Sequence, residues 1–332
     1  MIGCGTATFT DPEDVRVNVP GVSINFVLTS RCNFKVRLTW VNIRRLHLAR
    51  CEESAPRVAF VVLARGPVFV SFPIRHDPPA VWSGIEMRSG EIVLHGYGDH
   101  TYQRTSGAGR WGLISLAPQD LADFSQALNH VKLSPPPATK ILRPPSKLVA
   151  ELLRLHARAN RLAETKPDMI AHREVARALE HDSLYALVNC LTADEAYPEV
   201  GARQHHAQIM ARFENVLASP DGAPRSMPEI AAATGVPERT LRKCCAEFLG
   251  MSPGQYARLR RLNLVRAALR RADPATTSVA AIARQYGISE LGRFAVAYRT
   301  VFGEAPSTTL RGVHSRPNLH SGRDGPPGSV TS

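Results

Sequence analysis

The chain has 332 residues, of which 44% are hydrophobic and 21% charged, enough for two domains with separate cores. Its formal net charge of +12 favours a polyanionic partner, and no stretch approaches the ~20 apolar residues of a membrane-crossing helix. The six cysteines, at 4, 32, 51, 190, 244 and 245, show no Cys-x-x-Cys spacing, and no basic segment leads into an apolar run at the start. These features predict a reduced, cytoplasmic protein with free thiols, no signal peptide and no membrane association.

Residues 1–133 read as a β-rich domain. Short β-prone runs at 22–28, 34–41, 57–64, 68–74, 91–94 and 112–116 alternate with turn signals such as Arg65-Gly66-Pro67, Asp77-Pro78-Pro79 and Ser89-Gly90. Many short strands with polar turns predict a small barrel or sandwich. Residues 134–147, with five prolines, form a stiff Pro-rich linker. Helical periodicity follows over 147–164 and 170–193, inside a segment 148–200. Leu148, Leu152, Leu155 and Leu162 make one apolar stripe; Val175, Leu179, Leu184, Leu187 and Leu191 make another. Such stripes fill a core or meet a second subunit. From Val313 onward the chain is rich in Gly, Pro, Ser and His, a composition that predicts a disordered tail over 313–332.

Between these lies one pattern written twice. Ser226-Met227-Pro228-Glu229-Ile230-Ala231-Ala232-Ala233-Thr234-Gly235-Val236-Pro237-Glu238 is matched by Ser278-Val279-Ala280-Ala281-Ile282-Ala283-Arg284-Gln285-Tyr286-Gly287-Ile288-Ser289-Glu290. The copies run on in parallel, Leu241 with Phe294, Cys245 with Tyr298, Gly250 with Gly303 and Pro253 with Pro306. Ile230 and Ile282 are apolar positions on a short helix. Ala231 and Ala283 beside them let a second helix cross closely. Gly235 and Gly287 end the first helix in the left-handed conformation, and Val236 and Ile288 plug the corner. Pro237 suits a helix start, and Ser289 can cap one.

The helices that follow, over 238–249 and 290–302, carry Arg239, Thr240, Arg242 and Lys243 in one copy, Arg293 and Arg299 in the other. That basic, polar leading face suits a helix entering a major groove. One Ile-Ala-x-x-x-Gly pattern is common in ordinary helical hairpins; two at matching spacing on a basic background favour DNA reading. Between 203 and 312 sixteen Arg and Lys face eight Asp and Glu, so most of the excess charge lies in a third of the length. Arg258, Arg260, Arg261, Arg266, Arg270 and Arg271 belong to a long connecting helix, some as a solvated face and others close to phosphate.

At these residues the chain resembles the AraC/XylS family of bacterial transcription regulators, over about 203–311. The signature stands as Gly287-Ile288-Ser289-Glu290, Phe294, Tyr298 and Gly303-Glu304-Ala305-Pro306. Leu291 and Gly292 depart from the family's usual polar residues, and Cys245 from its usual aromatic. The resemblance implies an α+β protein: a cupin-like β-rich sensor, a helical dimerisation segment and an all-α DNA-binding domain with two helix-turn-helix units. Within that group Thr10-Asp11-Pro12-Glu13 and the stretch from Trp82-Ser83-Gly84 to Ser89-Gly90-Glu91-Ile92 are weakly similar to sensors of ethanolamine-operon regulators, which would imply a small amine or a corrinoid as ligand.

The function expected is a sequence-specific, ligand-responsive activator. Its expected partners are a double-stranded DNA operator, RNA polymerase, a small-molecule effector of unknown identity and a second copy of the chain. Arg239, Arg242, Lys243 and Arg293 are candidates for base contacts. Thr240, Ser289 and Arg299 would position the backbone, with Pro237, Glu238 and Glu290 completing the DNA-binding set. A ligand-independent architectural protein, or an enzyme fused to a DNA-binding domain, are the alternatives. No catalytic residue, cofactor or metal site is expected. His47, His76, His95, His100 and His130 are never two apart, as metal-bearing cupins require, and the His205-His206 neighbours diverge by about 100° on a helix.

Overall fold

The structure is a computed structural model that describes residues 3–15, 17, 19–76, 78–193, 201–218 and 226–312. The expected disordered tail, 313–332, lies outside them. The chain divides into two compact units, 1–263 and 264–332, with the border inside the long connecting helix.

The first unit opens with strands β1 (Gly3–Phe9), β2 (Val22–Leu28), β3 (Val36–Ile43), β4 (Leu46–Glu53), β5 (Arg57–Leu63) and β6 (Val68–His76). Two short strands, β7 (Val81–Trp82) and β8 (Ile85–Glu86), precede β9 (Ile92–Leu94), β10 (His100–Thr105) and β11 (Gly109–Leu116). Helix α1 (Pro118–Asn129) and β12 (Lys140–Leu142) lead to α2 (Ser146–Thr165), α3 (Pro167–Ala171) and α4 (Arg173–Thr192). Pairing is antiparallel. A seven-stranded sheet has the order β1-β3-β4-β11-β6-β9-β12, and a five-stranded sheet the order β2-β5-β10-β7-β8.

Period-2 alternation decides what each strand buries. Val41, Ile43, Leu46, Leu48, Val68, Val70, Phe72, Ile114 and Leu116 form one core with Leu152, Leu155, Leu179, Leu184 and Leu187 of α2 and α4. The two leucine stripes are therefore used inside the subunit, against its own sheet. On the opposite side of β4 the guanidinium of Arg57 in β5 reaches back to Glu53, through Nε at 2.7 Å and Nη2 at 2.7 Å, and donates to the Gln103 carbonyl of β10. That bridge ties the two sheets together.

Three segments differ from the sequence reading. Residues 134–147 are not a free spacer: Pro135 and Pro136 are buried, and Lys140–Leu142 adds a strand to β9. Prolines on both sides remove backbone donors and keep the pairing short, three of the six residues between Pro137 and Pro144. Helix α1 falls in the part read as β-rich, where no helix was expected, starting at Pro118, a good first helical residue. The helix expected over 170–193 is interrupted at His172, whose extended backbone separates α3 from α4.

The rest of the first unit is helical: α5 (Gly201–Ala218), α6 (Met227–Thr234), α7 (Glu238–Leu249) and the first turns of α8 (Pro253–Arg271). The second unit takes the remainder of α8, then α9 (Val279–Gln285), α10 (Leu291–Phe302) and α11 (Pro306–Gly312). A β-rich domain followed by an all-helical one makes the fold α+β.

Candidate DNA interface

Each unit contains one helix-turn-helix, built by the same local devices. Ser226 starts α6 with its Oγ accepting from the Glu229 N–H, while the Glu229 carboxylate accepts from the Ser226 N–H at 2.8 Å. Ser278 starts α9 in the same way, its Oγ accepting from the Ala281 N–H at 3.2 Å. Both helices end on a left-handed glycine, Gly235 at φ +75° and Gly287 at φ +70°. In both, the glycine N–H donates three residues back, to Ala232 and Arg284, and the next N–H donates five back, from Val236 to Ala231 and from Ile288 to Ala283. Those paired bonds satisfy the last carbonyls and fix the exit direction of the chain. Ile230, Ala231, Ile282 and Ala283 are buried, and Val236 and Ile288 half-buried.

The second helices also end alike, on Gly250 at φ +69° and Gly303 at φ +76°. Beneath α7, Leu241, Cys244, Cys245 and Phe248 are buried; Cys245 lies 3.9 Å from the Met210 sulfur. Burial pushes the Cys244 thiol up to about 11 and raises that of Cys245, so both stay protonated and act as small core residues. Beneath α10, Phe294 and Tyr298 take those places, with the Tyr298 hydroxyl 2.8 Å from Thr309 Oγ1.

Pro237 occupies the cap position of α7 and Glu238 its first residue. Arg239, Arg242 and Lys243 are exposed together on the leading half of the helix, and Arg242 is held by an ion pair to Glu238. Thr240 is half-buried. On the second helix Ser289 and Glu290 are exposed ahead of α10, and Arg293 and Arg299 are exposed along it. Ser289 does not cap this helix. The cap position belongs to Glu290, whose side chain makes no cap bond and turns to Arg293 at 2.9 Å. Val296 lies between Arg293 and Arg299 and is 70% exposed. Its i+3 spacing from both arginines is the sequence signal that marks it.

Not every arginine of α8 is free for phosphate. Arg260 donates to Glu214 Oε1 at 2.7 Å and to the Leu217 carbonyl at 2.9 Å. Arg266 stacks over Phe302, 5.3 Å from the ring centroid.

Within the first unit the helix-turn-helix is locked to the β-domain. Glu214 of α5 is buried and its carboxylate accepts from the Tyr102 hydroxyl of β10 at 2.8 Å, from the Tyr256 hydroxyl at 3.1 Å and from Arg260. Burial first, and then the Glu214 charge, push both phenols well above their ordinary range. Asn263 presents its amide to the backbone of Leu28 on the outer edge of β2, accepting from the N–H at 3.2 Å and donating to the carbonyl at 3.4 Å. That amide covers part of an open sheet edge. Gly84 is packed against Glu247 and Gly250 against Arg104, so that a Cβ at either glycine would meet a side chain below 3.0 Å.

Comparison with known proteins agrees with this construction. Residues 230–312 match the description of a helix-turn-helix domain. A probable thc operon regulatory protein of Rhodococcus erythropolis is 37% identical over 93 residues, 28% of this chain and 28% of that protein. A XylDLEGF operon transcriptional activator of Pseudomonas putida is 38% identical over 86 residues, 26% of this chain and 27% of that protein. The crystal structure of a probable AraC family transcriptional regulator from Rhodopseudomonas palustris is 34% identical, covering 33% of this chain and 98% of that one, with a TM-score of 0.29. The chain thus spans little more than a quarter of the length of these two curated relatives.

The paired turns define two helix-turn-helix units, of the kind that binds DNA. Its helix-turn-helix part, over residues 230–312, is of the AraC/XylS type. Among the described residues no helix is long and apolar enough to cross a membrane.

Proposed function

We propose that the chain is a ligand-responsive transcription activator that reads two successive major grooves of an operator, one with each helix-turn-helix unit. The observation that carries this reading is the repeated device itself. Two units with the same serine start and the same glycine turn each present an exposed basic helix. Arg239, Arg242, Lys243 and Arg293 contact base edges. Thr240, Ser289 and Arg299 position the backbone, together with Pro237, Glu238 and Glu290. Val296 adds an apolar contact of the kind a thymine methyl accepts. The β-domain takes the effector, and a second copy and RNA polymerase complete the activating complex. The relatives named as operon regulators support this reading.

Footprinting on DNA recovered with the protein from cells tests it. Protection should fall in two major-groove windows on one face, about 10–10.5 bp apart. Arg242→Ala should relax specificity in one window only and Arg293→Ala in the other, whereas loss of a phosphate contact should weaken all sequences alike. Uniform, sequence-independent protection would assign the chain to the architectural class instead.

A further inference from the structure

We propose that a cleft at one end of the seven-stranded sheet binds a small, polar organic oxyanion carrying two or more negative charges. This rests on the reading of the β-domain as an effector sensor and supplies the ligand class. The cleft, about 560 Å³, receives Lys35, Arg37, Arg75 and Arg110, with Glu52 and Glu53 as its carboxylates. That volume lies in the range of small-molecule sites.

Register gives the cations their meaning. Arg37 stands opposite Glu52, Glu52 opposite Arg110, and Arg110 opposite Arg75, one row across β3, β4, β11 and β6. Like charges directly opposite on antiparallel strands destabilise a sheet, yet Arg75 and Arg110 are neighbours. The carboxylates present are already engaged, and neither reaches Arg75 or Lys35. Glu52 lies 3.4 Å from both Arg50 and Arg110, and Glu53 is buried and held by Arg57 and the Trp111 indole N–H. Arg37 turns to Glu164 at 2.9 Å. Among the described residues Lys35 and Arg75 have no carboxylate within ion-pair distance. An oxyanion between them would offset the Arg75–Arg110 repulsion and accept paired guanidinium hydrogen bonds.

The other lining residues set the body of the ligand. They are Ser54, Ala108 and Gly109, with no aromatic and no large aliphatic side chain. An acid with a long or aromatic apolar body therefore finds nothing to bury against, and a cationic amine meets four positive charges.

The test uses the full chain without DNA, by calorimetry and thermal melting at fixed ionic strength. Citrate serves as the carboxylate probe and glucose 6-phosphate as the phosphate probe, with octanoate and ethanolamine as comparators. At least one of the first two should bind saturably, at least tenfold more tightly than either comparator; which one it is separates a carboxylate from a phosphate source. Arg75→Ala should weaken that binding at least tenfold and, without anion, should not lower the melting temperature, because it removes a like-charge neighbour. Lys132→Ala, an exposed lysine outside the cleft, should leave binding unchanged. Binding by neither anion, equal binding to Arg75→Ala, or tighter binding of octanoate or ethanolamine would overturn the proposal. Operator binding measured on the same preparations keeps a failed site distinct from a failed regulator assignment.

Discussion

His156 shows how one residue can set the acid limit of the β-domain. It is 2% exposed under the sheet, with Nε2 donating to the Ala49 carbonyl at 3.0 Å and the ring edge-on to Phe72. Gly112 permits this, since a Cβ there would meet the Phe72 ring at 2.3 Å and the His156 ring at 3.0 Å. Burial lowers the imidazole to about 4, with the nearby Arg50 acting in the same direction and the bond to Ala49 opposing it. The unfolded chain, near the ordinary value of 6.5, binds the proton first. Stability should therefore be fullest above pH 6.5 and fall until the pH reaches about 4, by roughly 3–4 kcal/mol for such a shift. Asp99 and Glu164, whose pKa values are lowered, act in a lower window, below the ordinary carboxylate range. Urea unfolding at a series of pH values checks this. His156→Gln should flatten the slope between pH 6.5 and 4.5, and an unchanged slope would place the acid sensitivity elsewhere.

Among elements, the two turns carry the sharpest consequence. Gly287 sits at φ +70°, which a β-branched residue does not reach without strain. Gly287→Val should misplace α10 with Arg293, Val296 and Arg299, and abolish operator binding while leaving the β-domain folded. Gly235→Val should do the same through α7, although a Cβ there meets nothing within 4 Å, so the effect is conformational and not steric. Normal operator affinity in either variant would remove that segment from the DNA-reading set. Val296→Ser tests the reading helix itself. If it contacts a thymine methyl, discrimination at one T·A pair should drop several-fold with other positions untouched, as measured on operator variants at fixed salt.

These turns were legible in the sequence because glycine, alanine and isoleucine at fixed spacing have one inexpensive local solution, and the bounds of α7 were read correctly. Strands β1, β4 and β10 were not legible. Cys4, His47, Arg50 and His100 interrupt the apolar pattern, and such polar positions are settled by tertiary partners. Arg50, for example, is held by Glu164, 114 positions away. The missing cap at Ser289 has a local origin instead: Glu290 takes the cap position of α10, and its side chain turns to Arg293. Glu214, the centre of the lock between helices and sheet, carried no local signal at all.

At the scale of the molecule, the sequence places the DNA-binding domain at 203–311, after the helical segment 148–200, whereas the compact units divide after Asn263. The first helix-turn-helix is thus packed with the β-domain, through Tyr102–Glu214 and Asn263–Leu28. A fragment starting at Gly201 keeps Tyr256 and Arg260 on Glu214 but loses Tyr102, and it leaves Asn263 without the edge of β2. We expect that fragment to bind the operator, more weakly if a dimer contact goes with the β-domain, and to unfold at lower urea than the intact first unit. Glu214→Gln separates packing from hydrogen bonding. In the full chain the charged acceptor serves two buried phenols and the half-buried Arg260, and a hydrogen bond to a charged group contributes about 1.5–3 kcal/mol. In the fragment one donor is gone and water reaches the carboxylate, so the same substitution should cost markedly less. Urea unfolding of the four proteins, monitored by tyrosine fluorescence, gives both losses directly. A loss in the fragment equal to that in the full chain would show that Tyr102 and the β-sheet do not strengthen the Glu214 network, and the two parts of the first unit would then be neighbours without coupling.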